Sequence, residues 1–285
     1  MLICTGLPPP TPASTSSAAC TYLTQARLKR QPDIQLPGGM CEIEDLAVVS
    51  PDMLLVANSR KLCVQLLDCL KGEVVSEVHL QEWPYSMSLT DKNTAAVRVG
   101  GGQIQMIKVK DKTLTKGREL TVSGNICGLT SSRNSLVVAY NSQPWLEVVS
   151  IDGKVLHQFD KSGTSQHFNY PASMCTTPRG SVFISDHGTH TITKVDAQLN
   201  LLQTFTSLLF HASRGFTAVT EDQILVCSYW THSIQLLQPT TNTKSTLLWK
   251  DDGFELPWSL TYCPDQKIVY VAPHGTNTIK VYQTS

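Results

Sequence analysis

Charge is scarce in this sequence. Only 16% of the 285 residues are charged, and 23 Lys and Arg are balanced by 23 Asp and Glu, so the formal net charge is zero. A nucleic-acid binder that works by bulk charge carries a basic surplus, which this balance lacks. The nine cysteines include no Cys-x-x-Cys pair, and most sit inside apolar, strand-like runs. Reduced, buried thiols are spaced this way; a disulfide framework or a zinc module is not. Asn-x-Ser/Thr does not occur, and the apolar residues before Pro8 are too few for a signal-peptide core. No apolar run approaches the ~20 residues of a membrane span. A cytoplasmic chain that meets neither membrane nor DNA is the expectation. Gly-x-Ser-x-Gly, His-Glu-x-x-His, Walker and dinucleotide-binding signatures are all missing, so no enzyme chemistry and no cofactor are expected.

Helical periodicity is nearly absent as well, although 41% of the residues are hydrophobic. Residues 1–25 are rich in Pro, Ser and Thr and read as a flexible leader or linker. From residue 26 on, short apolar runs alternate with turn residues. One pattern recurs six times: an apolar strand ending in a small residue at Ala57, Ala96, Ala139, Ser185, Cys227 or Ala272. Seven positions on, or eight in the second copy, stands Val64, Ile104, Leu146, Ile192, Ile234 or Ile279. Three further on stands Leu67, Ile107, Val149, Val195, Leu237 or Tyr282. The mean period is about 43 residues, enough for four strands, which is the size of a β-propeller blade. The expected fold is therefore all-β, a six-bladed propeller over residues 26–285. The sixth copy has three strands, so the strand-like segment 28–36 is expected to complete it and close the ring. Pro32 is tolerable there because the strand lies at a sheet edge. Gly100-Gly-Gly102 reads as a tight turn.

The best-preserved copies are Pro171-Ala-Ser with Val182-Phe-Ile-Ser-Asp186 and Thr191-Ile-Thr-Lys-Val195, and Leu256-Pro-Trp-Ser with Ile268-Val-Tyr-Val-Ala272 and Asn277-Thr-Ile-Lys-Val-Tyr282. These resemble NHL repeats. The resemblance covers about residues 26–285 and is clearest in the fourth and sixth copies; of the repeat's aspartates only Asp186 remains. Divergent six-bladed propellers of this kind are similar to the C-terminal domains of TRIM-type (RING, B-box, coiled-coil) ubiquitin ligases. The resemblance implies a substrate-recognition role, with any ligase chemistry supplied by domains that this sequence does not contain.

Rare residues concentrate in the connections expected to share one face, those between second and third strands and those between blades. The candidate partner-binding set is Arg60, Trp83, Tyr85, Arg98, Tyr140 and Trp145, then Phe168, His187 and His190, then Tyr229, Trp230, His232, His274 and Asn277. His167 and His211 fall in the same connections. Aromatic rings beside arginines are the usual make-up of interface hot spots. A protein partner on this face is the leading expectation. Two alternatives stay open: an RNA-binding NHL domain, and a metal-dependent lyase or hydrolase of propeller fold. The first needs a basic face, yet these loops mix Glu82, Asp186, Asp251 and Glu255 with Arg60, Lys61, Lys161 and Arg214. The second needs converging ligands, yet Ser59 and Val99 stand where a third histidine would be wanted, so no metal is assigned.

Overall fold

The computed structural model describes residues 23, 28–38, 41–141, 145–159, 167–210, 212–253 and 255–284. Apart from Leu23, the expected leader lies outside the described residues.

Six four-stranded antiparallel sheets form the blades of a propeller. A first strand, β1 (Leu28–Gln35), belongs to the last blade. Blade 1 is β2 (Ile43–Ser50), β3 (Met53–Asn58), β4 (Cys63–Asp68) and β5 (Glu73–His79). Blade 2 is β6 (Ser86–Asp91), β7 (Thr94–Val99), β8 (Gln103–Lys110) and β9 (Thr113–Thr121). Blade 3 is β10 (Ile126–Ser132), β11 (Ser135–Tyr140), β12 (Trp145–Ser150) and β13 (Val155–Phe159). Blade 4 is β14 (Pro171–Thr176), β15 (Val182–Asp186), β16 (Thr191–Val195) and β17 (Leu201–Thr206). Blade 5 is β18 (Ser213–Thr220), β19 (Gln223–Ser228), β20 (Ser233–Gln238) and β21 (Thr243–Leu248). Blade 6 is β22 (Pro257–Cys263), β23 (Ile268–Pro273) and β24 (Thr278–Thr284), with β1 outermost.

The recurring pattern is the core. All eighteen repeat positions, from Ala57 to Tyr282, are no more than 2% exposed. They lie on second and third strands, which are covered on both faces by neighbouring blades, so these strands read as continuous apolar runs. Outer strands such as β5 alternate between half-buried and exposed residues, since solvent reaches one side. The second copy is one residue out because Ala96 lies three residues before the end of β7, pairing with Met106, where Ala57 lies one residue before the end of β3. The β7–β8 connection itself is short, the three residues Gly100–Gly102 where the other blades use four. Gly101 and Gly102 both take positive φ, and a Cβ on Gly102 would lie 2.5 Å from the Gly124 carbonyl oxygen. The segment is the tight turn the sequence suggests.

Closure follows the expected route. β1 pairs antiparallel with β24 from Leu28↔Thr284 to Gln35↔Thr278, and the ladder slips between Gln31 and Ile34, around Pro32. A bulge at a sheet edge is where a proline's missing donor does least harm. Leu36 follows at 3% exposure. Its N–H donates to the Asn277 carbonyl at 2.8 Å, and Asn277 Nδ2 donates back to the Leu36 carbonyl at 3.2 Å. Leu23 packs between blades 5 and 6 against Leu225, Leu236 and Val271, and its N–H donates to Gln223 Oε1 at 2.7 Å.

The innermost strands, β2, β6, β10, β14, β18 and β22, neighbour one another around a central channel. Side chains lock them together. Asp45 on β2 accepts from Ser259 Oγ of blade 6 at 2.7 Å and from the Met87 N–H of blade 2 at 2.7 Å. Ser88 Oγ donates to Ser131 Oγ at 2.9 Å, Thr130 and Thr176 hydroxyls meet at 3.1 Å, and Ser173 Oγ donates to the Arg214 carbonyl. Blades 3 and 4 come close because Gly128 has no side chain: a Cβ there would sit 2.3 Å from the Ala172 carbonyl oxygen.

Candidate functional site at the channel mouth

The channel encloses a cavity of about 1060 Å³, at the large end of small-molecule and peptide pockets. Its mouth lies on the face carrying the β3–β4 type turns and the connections between blades. Five of the six blades bring one or two long side chains to it. Blade 1 contributes Glu44 and Arg60, blade 2 Tyr85 and Arg98, blade 4 Tyr170, blade 5 Arg214, and blade 6 Trp258 and His274.

Rings and guanidinium groups are layered. Arg98 stands 4.5 Å over the Tyr85 ring and Arg214 4.6 Å over the Trp258 ring. Such contacts orient arginines without using their N–H donors. Trp258 also packs on His274 at 4.6 Å, and Tyr229 sits edge-on to Trp230, Trp258 and His274 at 5.1, 5.6 and 5.7 Å. Tyr170 stacks on His187 at 5.9 Å and Trp83 meets Tyr85 at 6.4 Å. Asp186, 1% exposed, fixes the blade 4 part of this wall. It accepts four backbone N–H bonds, from Asn169 (2.6 Å), Tyr170 (3.1 Å), Gly188 (2.8 Å) and Thr189 (3.0 Å). One carboxylate thereby ties the incoming connection to the turn after β15, and sets Tyr170 and His187 side by side.

The electrostatics of the mouth are one-sided. Two of its carboxylates are hydrogen-bonded within the wall, while Glu42 faces His274 Nε2 at 3.7 Å: Glu44 takes Ser59 Oγ at 2.9 Å and Trp258 Nε1 at 3.0 Å. Asp45, deeper in the wall, takes two backbone N–H groups and the Ser259 hydroxyl. The donors of the mouth are not all so bonded. Arg98 Nη1 reaches the Cys127 carbonyl, but Arg98 Nε, Arg214 Nε and the Ser86 hydroxyl are buried with no acceptor. Each buried, unsatisfied donor costs about 1–3 kcal/mol. Burial also shifts the titrations. It pushes Asp45 up to about 6 against its three hydrogen bonds, raises Glu44 above the usual carboxylate range, and lowers Arg98, Arg214 and His187. The Cys127 thiol is pushed up to about 12, again mainly by burial, so it stays protonated and unreactive at neutral pH. Among the described residues no three His, Cys, Asp or Glu side chains are grouped as metal ligands would be.

The fourteen expected residues separate into three groups. Arg60, Trp83, Tyr85, Arg98 and His274 line the mouth. His187, Tyr229 and Trp230 touch rings of the mouth, and Trp83 and Trp230 are open to solvent at 56% and 61% exposure. The remaining six are engaged elsewhere. Tyr140 is wholly buried, stacked on Trp145 at 4.4 Å, with its hydroxyl donating to the buried Glu147 at 2.5 Å. Trp145 and Phe168 are buried in the packing of blade 3, so these three rings stabilise the blade and offer no surface. Asn277 pins the closing strand. His232 accepts the Leu256 N–H at Nδ1, 3.1 Å away, and shapes the connection into blade 6. His190 is exposed at a left-handed turn position with φ of 55° and does not line the channel. His211 lies outside the described residues. Glu44, Tyr170 and Trp258 line the mouth without belonging to the expected set. Tyr170 and Trp258, and Arg214 with them, fall in or beside the same connections between blades that the sequence marks as sharing this face; Glu44, in β2, has no such signal.

No protein-family model matches the sequence, and no curated protein matches it. Among solved structures the chain is similar to a structural-genomics protein of unknown function from Bacteroides thetaiotaomicron, with TM-score 0.71 and 13% identity, over 92% of this chain and 74% of that one. It is also similar to the β-propeller domain of Cps50 (Swd1) from Myceliophteria thermophila, with TM-score 0.64 and 13% identity, over 85% of this chain and 83% of that one. At that identity the likeness shows the fold alone: the chain is a β-propeller. No described helix is long and apolar enough to cross a membrane.

Proposed function

We propose that this propeller is a non-enzymatic protein-recognition module that binds its partner at the channel mouth. The observation that supports this is the company the mouth keeps: exposed Trp83 meets half-buried Tyr85, and exposed Trp230 meets Tyr229, which packs on half-buried Trp258, with an arginine stacked on both Tyr85 and Trp258. Such a gradient from exposed rim to desolvated centre is how interface hot spots are built. The NHL-like repeats extend the reading to substrate recognition for a TRIM-like ubiquitin ligase or a stand-alone relative. RNA is less well served, because three arginines at the mouth are offset by Glu42 and Glu44.

The test is partner capture. Tyr229→Ala with Trp230→Ala should reduce it by thirtyfold or more, since hot-spot rings are worth about 2 kcal/mol each. The variant should keep its fold, because both residues lie in a turn outside the strands. On the opposite face, Leu70→Ala with Lys92→Ala should leave capture unchanged; both are exposed, Leu70 at 77%. Capture that survives the first pair and fails with the second would move the binding surface to the other mouth. A steep salt dependence with single-stranded RNA would replace the protein partner by a nucleic acid.

A further inference from the structure

The donor surplus at the mouth says what the partner brings. Arg98 Nε, Arg214 Nε and Ser86 Oγ are hydrogen-bond donors buried without an acceptor, and all three belong to residues lining one cavity. The acidic neighbours do not satisfy them. Both oxygens of Glu44 are taken by Ser59 and Trp258, and both oxygens of Asp45 by Met87, Leu46 and Ser259. The two arginines belong to one electrostatic neighbourhood, since each senses Glu44 and Tyr170. Their faces are occupied by Tyr85 and Trp258, which leaves the guanidinium edges as the available chemistry. An oxyanion presents acceptors only, and a planar one matches a guanidinium edge.

We propose that the mouth binds a carboxylate, and that it is the side chain of an Asp or Glu on the protein partner, seated between Arg98 and Arg214. The proposal rests on the protein-recognition reading above and specifies its chemistry. Charge selects a carboxylate over a phosphate. Arg60, Arg98 and Arg214 face Glu42, Glu44 and the deeper Asp45 around the same cavity, which leaves no positive surplus to neutralise a dianion and favours a singly charged group. Size selects a side chain carried on a peptide over a free small acid. A cavity of about 1060 Å³ lined by Trp83, Tyr85 and Trp258 leaves most of its wall uncovered by a single carboxylate, so flanking residues must fill it. An acidic side chain brings its own flanking residues on both sides.

The test uses the whole chain, immobilised, and four peptide pools of nine residues with randomised flanks. Three are acetylated and amidated, with a central Glu, Gln or phosphoserine; the fourth has central Gln and a free C-terminal carboxylate. Retained peptides are quantified by mass spectrometry. The Glu pool should be enriched at least tenfold over Gln and over phosphoserine. Arg98→Gln and Arg214→Gln should each remove that preference while the melting temperature stays within a few degrees. If either variant unfolds, Arg214→Lys serves instead: it keeps the charge, loses the planar edge, and should weaken the preference severalfold. Equal retention of Glu and Gln, sensitive to Tyr229→Ala with Trp230→Ala, would overturn the carboxylate while leaving peptide recognition standing. Enrichment of the free C-terminus over central Glu would overturn the side-chain source, and phosphoserine ahead of Glu would overturn the charge argument. Retention of no pool would overturn both readings.

Discussion

Removing residues 1–36 takes away β1, the strand that closes the ring, and its effect can be worked out from the structure. Lost with it are the ladder to β24 from Leu28↔Thr284 to Gln35↔Thr278, the fully buried side chains of Leu36 and Leu23, and the half-buried Leu28 and Ile34. Two fully buried leucines contribute about 1.5–3 kcal/mol each, and two half-buried ones add roughly the equivalent of one more. The truncated chain regains the conformational entropy of the strand, which offsets part of this. A net loss of about 3–5 kcal/mol remains, or roughly 10 °C in melting temperature for a domain of this size. Three truncations separate the contributions. Deleting 1–20 should change nothing, because the described packing begins at Leu23. Deleting 1–25 should cost about 2 kcal/mol by unseating Leu23 from the seam between blades 5 and 6. Deleting 1–36 should give the full loss and strip hydrogen-exchange protection from β24, newly an edge. Calorimetric melts of the three proteins provide the readout. A melting temperature unchanged by the longest deletion would refute closure by β1.

Three further outcomes follow from side chains in the wall of the site. Asp186→Ala strands four backbone donors, and should destabilise the protein by about 3–5 kcal/mol in chemical denaturation. A loss under 1 kcal/mol would mean that Asp186 does not organise blade 4. Asp45, held at about 6 when folded against 3.8 in its ordinary state, binds its proton more tightly in the native protein. Its contribution is therefore fully present below pH 4 and is lost as pH rises through 6, by about 2–3 kcal/mol. The stability of Asp45→Asn relative to the parent should accordingly climb between pH 4 and 7; a flat difference would show that the carboxylate is not raised. Tyr140→Phe removes a donor from buried Glu147, and should cost about 1–3 kcal/mol without touching partner capture. Loss of capture in a stable Tyr140→Phe protein would return that ring to the binding surface.

The architecture was legible because a propeller repeats its packing problem six times. A small residue must lie where Ala57, Ala139 and Cys227 do, facing the next blade, and an apolar residue must lie opposite it across the ladder, as Val64, Leu146 and Ile234 do. One periodic signal therefore carries strand order, core and closure together. The mouth was only half legible. Turn membership led to Arg60, Trp83, Tyr85, Arg98 and His274, which line the mouth, yet it gives no information about which way a side chain points. Tyr140 ends β11 and Trp145 opens β12, so the two rings flank the turn as a ladder pair, and Glu147, two positions into β12, draws the Tyr140 hydroxyl inward. Glu44 was hidden for the opposite reason. It lies in an innermost strand whose apolar neighbours made it look like core, while the channel leaves that strand's inner side open. The satisfaction of donors and acceptors, on which the carboxylate proposal depends, is a three-dimensional property with no sequence signature.

The claim that the channel mouth is where this protein meets its partner can be tested by site-specific photo-cross-linking in cells. A photoreactive phenylalanine analogue replaces Trp230 or Trp83 at the mouth, or Leu70 on the opposite face, in the full chain. All three positions are exposed, at 61%, 56% and 77%, so reactivity is matched. The account predicts a discrete cross-linked protein species from Trp230 and Trp83, lost when Arg98→Gln and Arg214→Gln are added, and none from Leu70. The same species from Leu70, with both mouth positions silent, would contradict it.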